Sequence, residues 1–324
     1  MRLLFLHTGG TLGMKGEPGP LAPENYEGTV LPFVHGLDEL AHIDHRFLCN
    51  IDSSDMEPAR WEQMARQVDE NIDDYDGFVV LHGTDTMAFS AAACALMLQN
   101  LPRPVVFTGA QRPIHVLRSD GRQNLIHATI CATHDVPEVG VYFDGRLLRA
   151  SRTTKYSVQS YSAYRSPGTA PLTTMGADVQ HPLAPRRPKG PFELRLGFER
   201  RVAVLTLFPG IDAKVLDAVV DGGARGIVLR AFGAGNIPLS GWPSAIARAR
   251  SAGAAVVVST QCVEGRVTLG SYAGSQAALD AGAVGAGDMT LEGALTKTMF
   301  LLAQDGDFNT LWPQDLAGER RTRA

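Results

Sequence analysis

The chain is poor in cysteine, in excess positive charge and in long apolar runs, and each shortage removes a class of protein. Its four cysteines, at positions 49, 94, 131 and 262 of 324, are far apart and form no CxxC pair. That spacing excludes a disulfide framework and a zinc ribbon and predicts reduced, mostly buried thiols. No apolar stretch approaches membrane length, and Leu3-Leu4-Phe5-Leu6 is too short for a signal-peptide core. The expected location is therefore the cytoplasm, with no membrane partner. A formal net charge of -4 leaves no global basic field, so nucleic acid is not an expected partner, and the tail Arg320-Arg321-Thr322-Arg323 reads as a solvated terminus. Common hydrolase signatures are missing as well. There is no GxSxG elbow with a His–Asp set, no HExxH and no cysteine–histidine context. His42 and His45 stand three apart without a third ligand, and Asp73, Asp74 and Asp76 lack the glutamate that closes a calcium loop, so no metal site is expected.

What is present is a rhythm of short apolar runs that end in small polar residues. The stretch Phe78-Val79-Val80-Leu81-His82-Gly83-Thr84-Asp85-Thr86 predicts a strand and a tight turn, followed by a helix over Met87 to Asn100. Two readings of Thr84 and Asp85 are open at this point: they touch a ligand at a helix N-terminus, or they cap the helix and complement its dipole. Arg2 to Leu6 predicts a first strand with Thr8-Gly9-Gly10-Thr11-Leu12-Gly13 as its exit. This exit lacks the full GxGxxG spacing and any GK[ST], which argues against a nucleotide site. Met14 to Asn25, with three prolines, predicts a loop beside the crevice that could serve as a lid.

Val30 to Phe47 reads as helix then strand, and Asp52-Ser53-Ser54-Asp55-Met56 as a hydrogen-bonding turn before a helix carrying Trp61, Met64 and Val68. Pro104 to Phe107 and Val139 to Phe143 supply further strands. Alternating strands and helices argue a doubly wound parallel α/β sheet. The loops after Leu6, Ile51, Leu81 and Phe107 then share one sheet edge, which collects Thr8, Thr11, Ser53, Ser54, Thr84, Asp85 and Gln111 in one hydroxyl-rich crevice. Prolines between 167 and 191 mark a region without regular elements. The expected division is an N-terminal α/β domain over 1–182, a linker over 183–200 and a smaller C-terminal α/β domain over 201–324. In the last of these, a helix from Thr290 to Ala303 aligns Leu291, Leu295, Met299 and Leu302 as a core stripe.

Chemistry in such a crevice can use a hydroxyl nucleophile activated by a lysine, with loop N–H groups receiving a carbonyl oxyanion. Lys155 is the candidate, with Asp85 available for a substrate ammonium; composition alone makes Lys155 a surface residue. The set Thr8-Gly9-Gly10-Thr11, Asp52-Ser53-Ser54-Asp55-Met56, His82-Gly83-Thr84-Asp85-Thr86-Met87, Arg118-Ser119-Asp120-Gly121, Arg152-Thr153-Thr154-Lys155, Gly235-Asn236 and Thr260-Gln261-Cys262 resembles the bacterial L-asparaginases. Of these it is most similar to the cytoplasmic type I branch. The resemblance runs through nearly the whole chain in order.

It implies a flavodoxin-like N-terminal domain, a Rossmann-like C-terminal one, and a homodimer or homotetramer that hydrolyses L-asparagine, and L-glutamine weakly, without metal or cofactor. By resemblance Thr11 is the primary nucleophile, and Thr84, Lys155 and Asp85 are the second threonine with its lysine and acid. Ser53 and Ser54 bind the substrate carboxylate, and Asn236 is offered across a subunit interface. Thr154, Arg230 and Cys262 match an allosteric asparagine pocket of some type I members. The family's lid tyrosine falls at Pro20, which leaves Tyr26 as the candidate lid residue. Alternative readings are the amidase-like module of a tRNA-dependent amidotransferase and a non-catalytic asparagine sensor.

Overall fold

A computed structural model describes residues 1–15, 30–33 and 36–321. It divides into two units, Met1–Arg195 and Leu196–Ala324. The runs that build the first unit are apolar on consecutive residues rather than on alternate ones. Leu3 to Leu6 and Phe78 to Leu81 are each at most 1% exposed, as a strand buried on both faces of a parallel sheet requires.

Twelve strand segments are described in this unit: β1 (Arg2–Gly9), β2 (His42–Ile51), β3 (Gly77–Leu81), β4 (Leu98–Gln99), β5 (Val105–Thr108), β6 (Val139–Phe143), β7 (Arg146–Arg149), β8 (Thr154–Lys155), β9 (Tyr164–Arg165), β10 (Thr173–Met175), β11 (Val179–Gln180) and β12 (Glu193–Leu194). Eight of them form one sheet in the order β11-β10-β7-β6-β5-β3-β1-β2. From β2 to β6 every neighbouring pair is parallel, and β7, β10 and β11 extend the sheet in antiparallel fashion. This is the doubly wound sheet that the alternating runs predict. Its strand order reverses between β1 and β3, the switch point at which an open α/β sheet leaves a crevice outside its carboxyl ends.

Helices α1 (Pro58–Asp69), α2 (Met87–Met97) and α3 (Gly121–Thr133) pack on this sheet or on one another. The alanine-rich α2 buries Ala88, Ala91, Ala92, Ala93 and Ala95, and the Trp61 indole of α1 donates to Ser90 Oγ at 2.9 Å. Three local expectations change. In place of a helix after Val30 there are 3₁₀ turns at Leu31–Phe33 and Leu37–Glu39, with Gly36 at a φ of 91° breaking the run, and β2 extends from His42 to Ile51. Helix α2 stops at Met97 rather than Asn100, because Leu98–Gln99 pairs with β12 and Asn100 turns to a φ of 54°. The proline-marked stretch after Gly168 does hold regular structure, since two- and three-residue strands fit between prolines.

The second unit has β13 (Val202–Thr206), β14 (Gly226–Ala231), β15 (Ala255–Thr260) and β16 (Val284–Gly285), all parallel and in sequence order. Its helices are α4 (Lys214–Asp221), α5 (Trp242–Ser251), α6 (Ala273–Asp280), α7 (Leu291–Leu301) and α8 (Phe308–Leu311). Because right-handed crossovers advance in one direction, α4, α5 and α6 fall on one face, where α5 packs beside both neighbours. Helix α7 packs on β13, β14 and β15.

The predicted stripe on α7 is only half-buried. The buried positions are Glu292, Gly293, Ala294, Thr296, Lys297, Thr298, Phe300 and Leu301. Lys297 tolerates this burial because its Nζ meets Glu319 Oε1 at 2.5 Å and the Gln314 carbonyl, while Thr296 and Thr298 return their hydroxyls to the carbonyls of Glu292 and Ala294. The basic tail is also tied down in part: the Arg321 N–H donates to Asp288 Oδ1 at 3.0 Å. Among the described residues no helix is long and apolar enough to cross a membrane.

Candidate active site

Two glycine-containing exits meet at the switch point. A Cβ built on Gly10, whose φ is 90°, would lie 2.4 Å from Gly83 Cα, and one on Gly83 would lie 2.6 Å from Ser53 Cβ. The loops after β1, β2 and β3 are therefore in backbone contact, which only glycine permits at these two positions. The Gly10 N–H adds a bond to the Ile51 carbonyl at 3.2 Å. This packing carries the half-buried Thr11, the residue after Gly10, to the same edge as Ser53 and Thr84.

Thr84 is not a helix cap. Helix α2 starts at Met87 with Thr86 at its N-cap, and Thr86 donates its hydroxyl to the Ser53 carbonyl at 2.8 Å. The Thr84 hydroxyl, on a residue 6% exposed, instead stands between two long side chains. It donates to Gln111 Oε1 at 3.2 Å and accepts from Lys155 Nζ at 2.9 Å. Lys155 Nζ is also 2.5 Å from Asp85 Oδ1, and its side chain is 16% exposed against 67% for Asp85. The surface reading of Lys155 thus gives way to a lysine enclosed between a hydroxyl and a carboxylate. Asp85 lies at the rim, its N–H donating to Ser53 Oγ at 3.2 Å.

The partners of these groups explain their fixity. Gln111 Nε2 donates to the carbonyls of Ser157 at 3.3 Å and Ser160 at 3.2 Å, which orients Oε1 toward Thr84. The Gln111 N–H in turn donates to both carboxylate oxygens of Asp120, at 3.1 and 3.0 Å. Burial raises the Asp120 pKa, opposed by the N–H groups of Gln111 and Arg112. Asp52 accepts the Ser54 N–H at 2.8 Å, leaving Ser53 buried and Ser54 exposed.

Beneath the loops lie two neutral histidines. Burial lowers the His7 pKa to about 3 and that of His82 to about 4. His82 Nδ1 sits 2.7 Å from the Gly83 carbonyl, so the ring donates there and carries its lone pair on Nε2. His45, one of the pair three apart, lies with Nδ1 3.0 Å from His7 Nε2.

The structure brings Ser53, Thr84, Asp85 and Lys155 into one hydrogen-bonded cluster. Thr8 does not join it: it is 1% exposed and donates to the Leu81 carbonyl at 2.9 Å. Thr154 lies on β8, next to Lys155. Arg230, Asn236 and Cys262 belong to the second unit. Arg230 is the penultimate residue of β14, near the exit of β15, where Gln261 Nε2 donates to the Arg230 carbonyl at 3.0 Å and Cys262 is exposed. Arg230 Nε and Asn236 Oδ1 are buried with no hydrogen-bond partner among the described residues. Tyr26, the lid candidate, and Pro20 lie outside the described residues.

One contributor escapes the motif reading. The Tyr164 hydroxyl donates to the Thr84 carbonyl, and only the pairing of β9 with β8, nine residues back, could have pointed to it.

The family model described as asparaginase, N-terminal, matches residues 2–186, and that of the glutaminase/asparaginase C-terminal domain matches residues 201–311. L-asparaginase 1 of Escherichia coli strain K12 is 37% identical, covering 97% of this chain and 96% of that one. The crystal structure of L-asparaginase I from Vibrio cholerae has a TM-score of 0.89 at 35% identity, covering 99% of each chain. The thermostable L-asparaginase from Thermococcus kodakarensis has a TM-score of 0.92 at 33% identity over 100% of both. With both halves matched and both folds shared, this chain belongs to the asparaginase family.

Proposed function

We propose that the protein hydrolyses L-asparagine to L-aspartate and ammonia through a threonine nucleophile. The observation that carries this reading is Lys155 Nζ held between the Thr84 hydroxyl and the Asp85 carboxylate. A lysine so placed can exchange a proton with a hydroxyl, and an exposed carboxylate beside it can receive a substrate ammonium. In this mechanism the Thr11 Oγ attacks the side-chain amide carbon, its proton passing to the leaving nitrogen, and ammonia departs from an acyl-enzyme. Water, deprotonated by way of Thr84 and Lys155, then attacks the ester and releases aspartate.

Asp85 binds the α-ammonium, and Ser53 and Ser54 hold the α-carboxylate. Loop N–H groups receive the oxyanion, where one donor contributes about 10²–10³-fold. Family membership further supports a homodimer or homotetramer in the cytoplasm, with Asn236 supplied by a partner subunit, Tyr26 on a lid, and weak use of L-glutamine. It also supports 1–182 and 201–324 as domains joined by a linker at 183–200. Family membership also supports an allosteric role for Thr154, Arg230 and Cys262; Arg230 Nε, buried with no hydrogen-bond partner among the described residues, is a donor suited to a carboxylate.

The test is release of ammonia from L-asparagine by the wild-type protein and by Lys155→Met. A fall in kcat of about 10²–10⁴-fold is expected; a variant as fast as the wild type would remove Lys155 from the chemistry.

A further inference from the structure

We propose that Tyr164 is a positioning residue for Thr84, so that the β8–β9 ribbon grips this threonine at two points. The inference rests on the reading of Thr84 and Lys155 as proton-handling groups. Lys155 and Tyr164 are direct cross-strand partners in the ribbon. Residues directly opposite on antiparallel strands project to the same face, so their two side chains reach one target from a shared base. Lys155 donates to the Thr84 hydroxyl at 2.9 Å, and the Tyr164 hydroxyl donates to the Thr84 carbonyl.

The carbonyl needs such a partner because Thr84 is 6% exposed and precedes the first turn of α2. The tyrosine ring is itself fixed, at 1% exposure, with its centroid 4.9 Å from that of Phe143 at the end of β6. Thr84 is thereby referenced to the central sheet through Tyr164. The turn of the ribbon is held from the other side, where Gln111 bonds the Ser157 and Ser160 carbonyls while accepting from Thr84. Loss of the tyrosine hydroxyl frees the main chain of Thr84 while leaving the ring, the ribbon and every group assigned to bind substrate in place.

The experiment compares Tyr164→Phe with wild type in steady-state ammonia release from L-asparagine over pH. Tyr75→Phe is the control, because it removes one hydroxyl from another buried tyrosine, bonded to Asp44 at 2.9 Å. The expected result for Tyr164→Phe is a fall in kcat of about 10- to 100-fold, the scale of a small misplacement of a reacting group. KM stays within about twofold, the pH profile keeps its shape, and the control keeps wild-type kcat. Wild-type kcat in Tyr164→Phe, or equal losses in both tyrosine variants, would overturn the proposal. A displaced pH profile would make the tyrosine a proton carrier and overturn it too. Thr84→Ala separates the two levels: if it retains full activity the underlying mechanism fails, and if it is inactive while Tyr164→Phe is unimpaired only the positioning role fails.

Discussion

At the scale of single residues, the site depends on close backbone approach as much as on reactive side chains. Gly10 has both a φ of 90° and no room for a Cβ beside Gly83. Gly10→Ala should therefore cost about 1–3 kcal/mol through strain and overpacking, read as a lower urea midpoint, together with reduced kcat from the displaced Thr11 loop. Stability equal to wild type would show that these loops can separate freely.

The buried histidines give a second expectation. The His82 pKa falls from 6.5 to about 4 in the fold, and that of His7 to about 3, both through burial. The unfolded chain thus takes up protons first as pH falls. Their contribution is complete above about pH 6.5 and erodes toward pH 4, by up to ~1.4 kcal/mol per histidine for each pH unit. Urea denaturation at pH 7.5, 5.5 and 4.5 should show this decline. A midpoint that stays flat below pH 6.5 would contradict it.

Thr84 and Asp85 were legible as candidates because a strand exit before a helical pattern is a recognisable local signal, and Lys155 through its place in the Arg152-Thr153-Thr154-Lys155 motif. Their bonding was not. Lys155 is 71 residues from Thr84 in sequence, and no spacing rule reports such a contact. Thr8 was misread for the related reason that a hydroxyl at a strand end serves a neighbouring carbonyl as readily as a ligand.

At the scale of elements, helix α7 shows where a periodic reading fails. A 3.6-residue stripe assumes one buried face and one wet face. This helix lies against the sheet and is also covered by the C-terminal segment, whose Trp312 ring lies 5.3 Å from Lys297 Nζ and whose Glu319 pairs with that nitrogen. The partner is 22 residues on, beyond any i,i+4 rule, so a fully buried lysine could not be foreseen. Both side chains are at most 1% exposed, and removing one partner should cost about 3–5 kcal/mol. Glu319→Ala should therefore lower the thermal midpoint sharply. Replacing both residues by apolar ones of similar size, Lys297→Met with Glu319→Leu, should recover much of the loss. A double variant worse than Glu319→Ala would show that the pair is retained for net attraction.

At the scale of the whole molecule, two parallel-sheet units each present polar strand exits, and that rhythm was readable from apolar runs ending in Gly, Ser, Thr or Asp. Boundaries were less legible, because β12, formed by Glu193–Leu194, pairs with β4 inside the first unit, and a two-residue pairing leaves no compositional trace. Oligomer formation should appear in sedimentation as a species of two or four chains, each of 34.8 kDa. A monomer that retains full activity would separate Asn236 of a partner subunit from the site. If Arg230 has this allosteric role, the rate should be sigmoidal in asparagine and become hyperbolic in Arg230→Ala.

The central claim is that Thr11 and the Thr84–Lys155 pair together hydrolyse the amide of asparagine. Steady-state ammonia release from L-asparagine by wild type, Thr11→Ala and Thr84→Ala tests it most directly. The account predicts turnover by the wild type and a loss of at least about 10²-fold in each variant with the fold intact. Wild-type turnover in either threonine variant would contradict it.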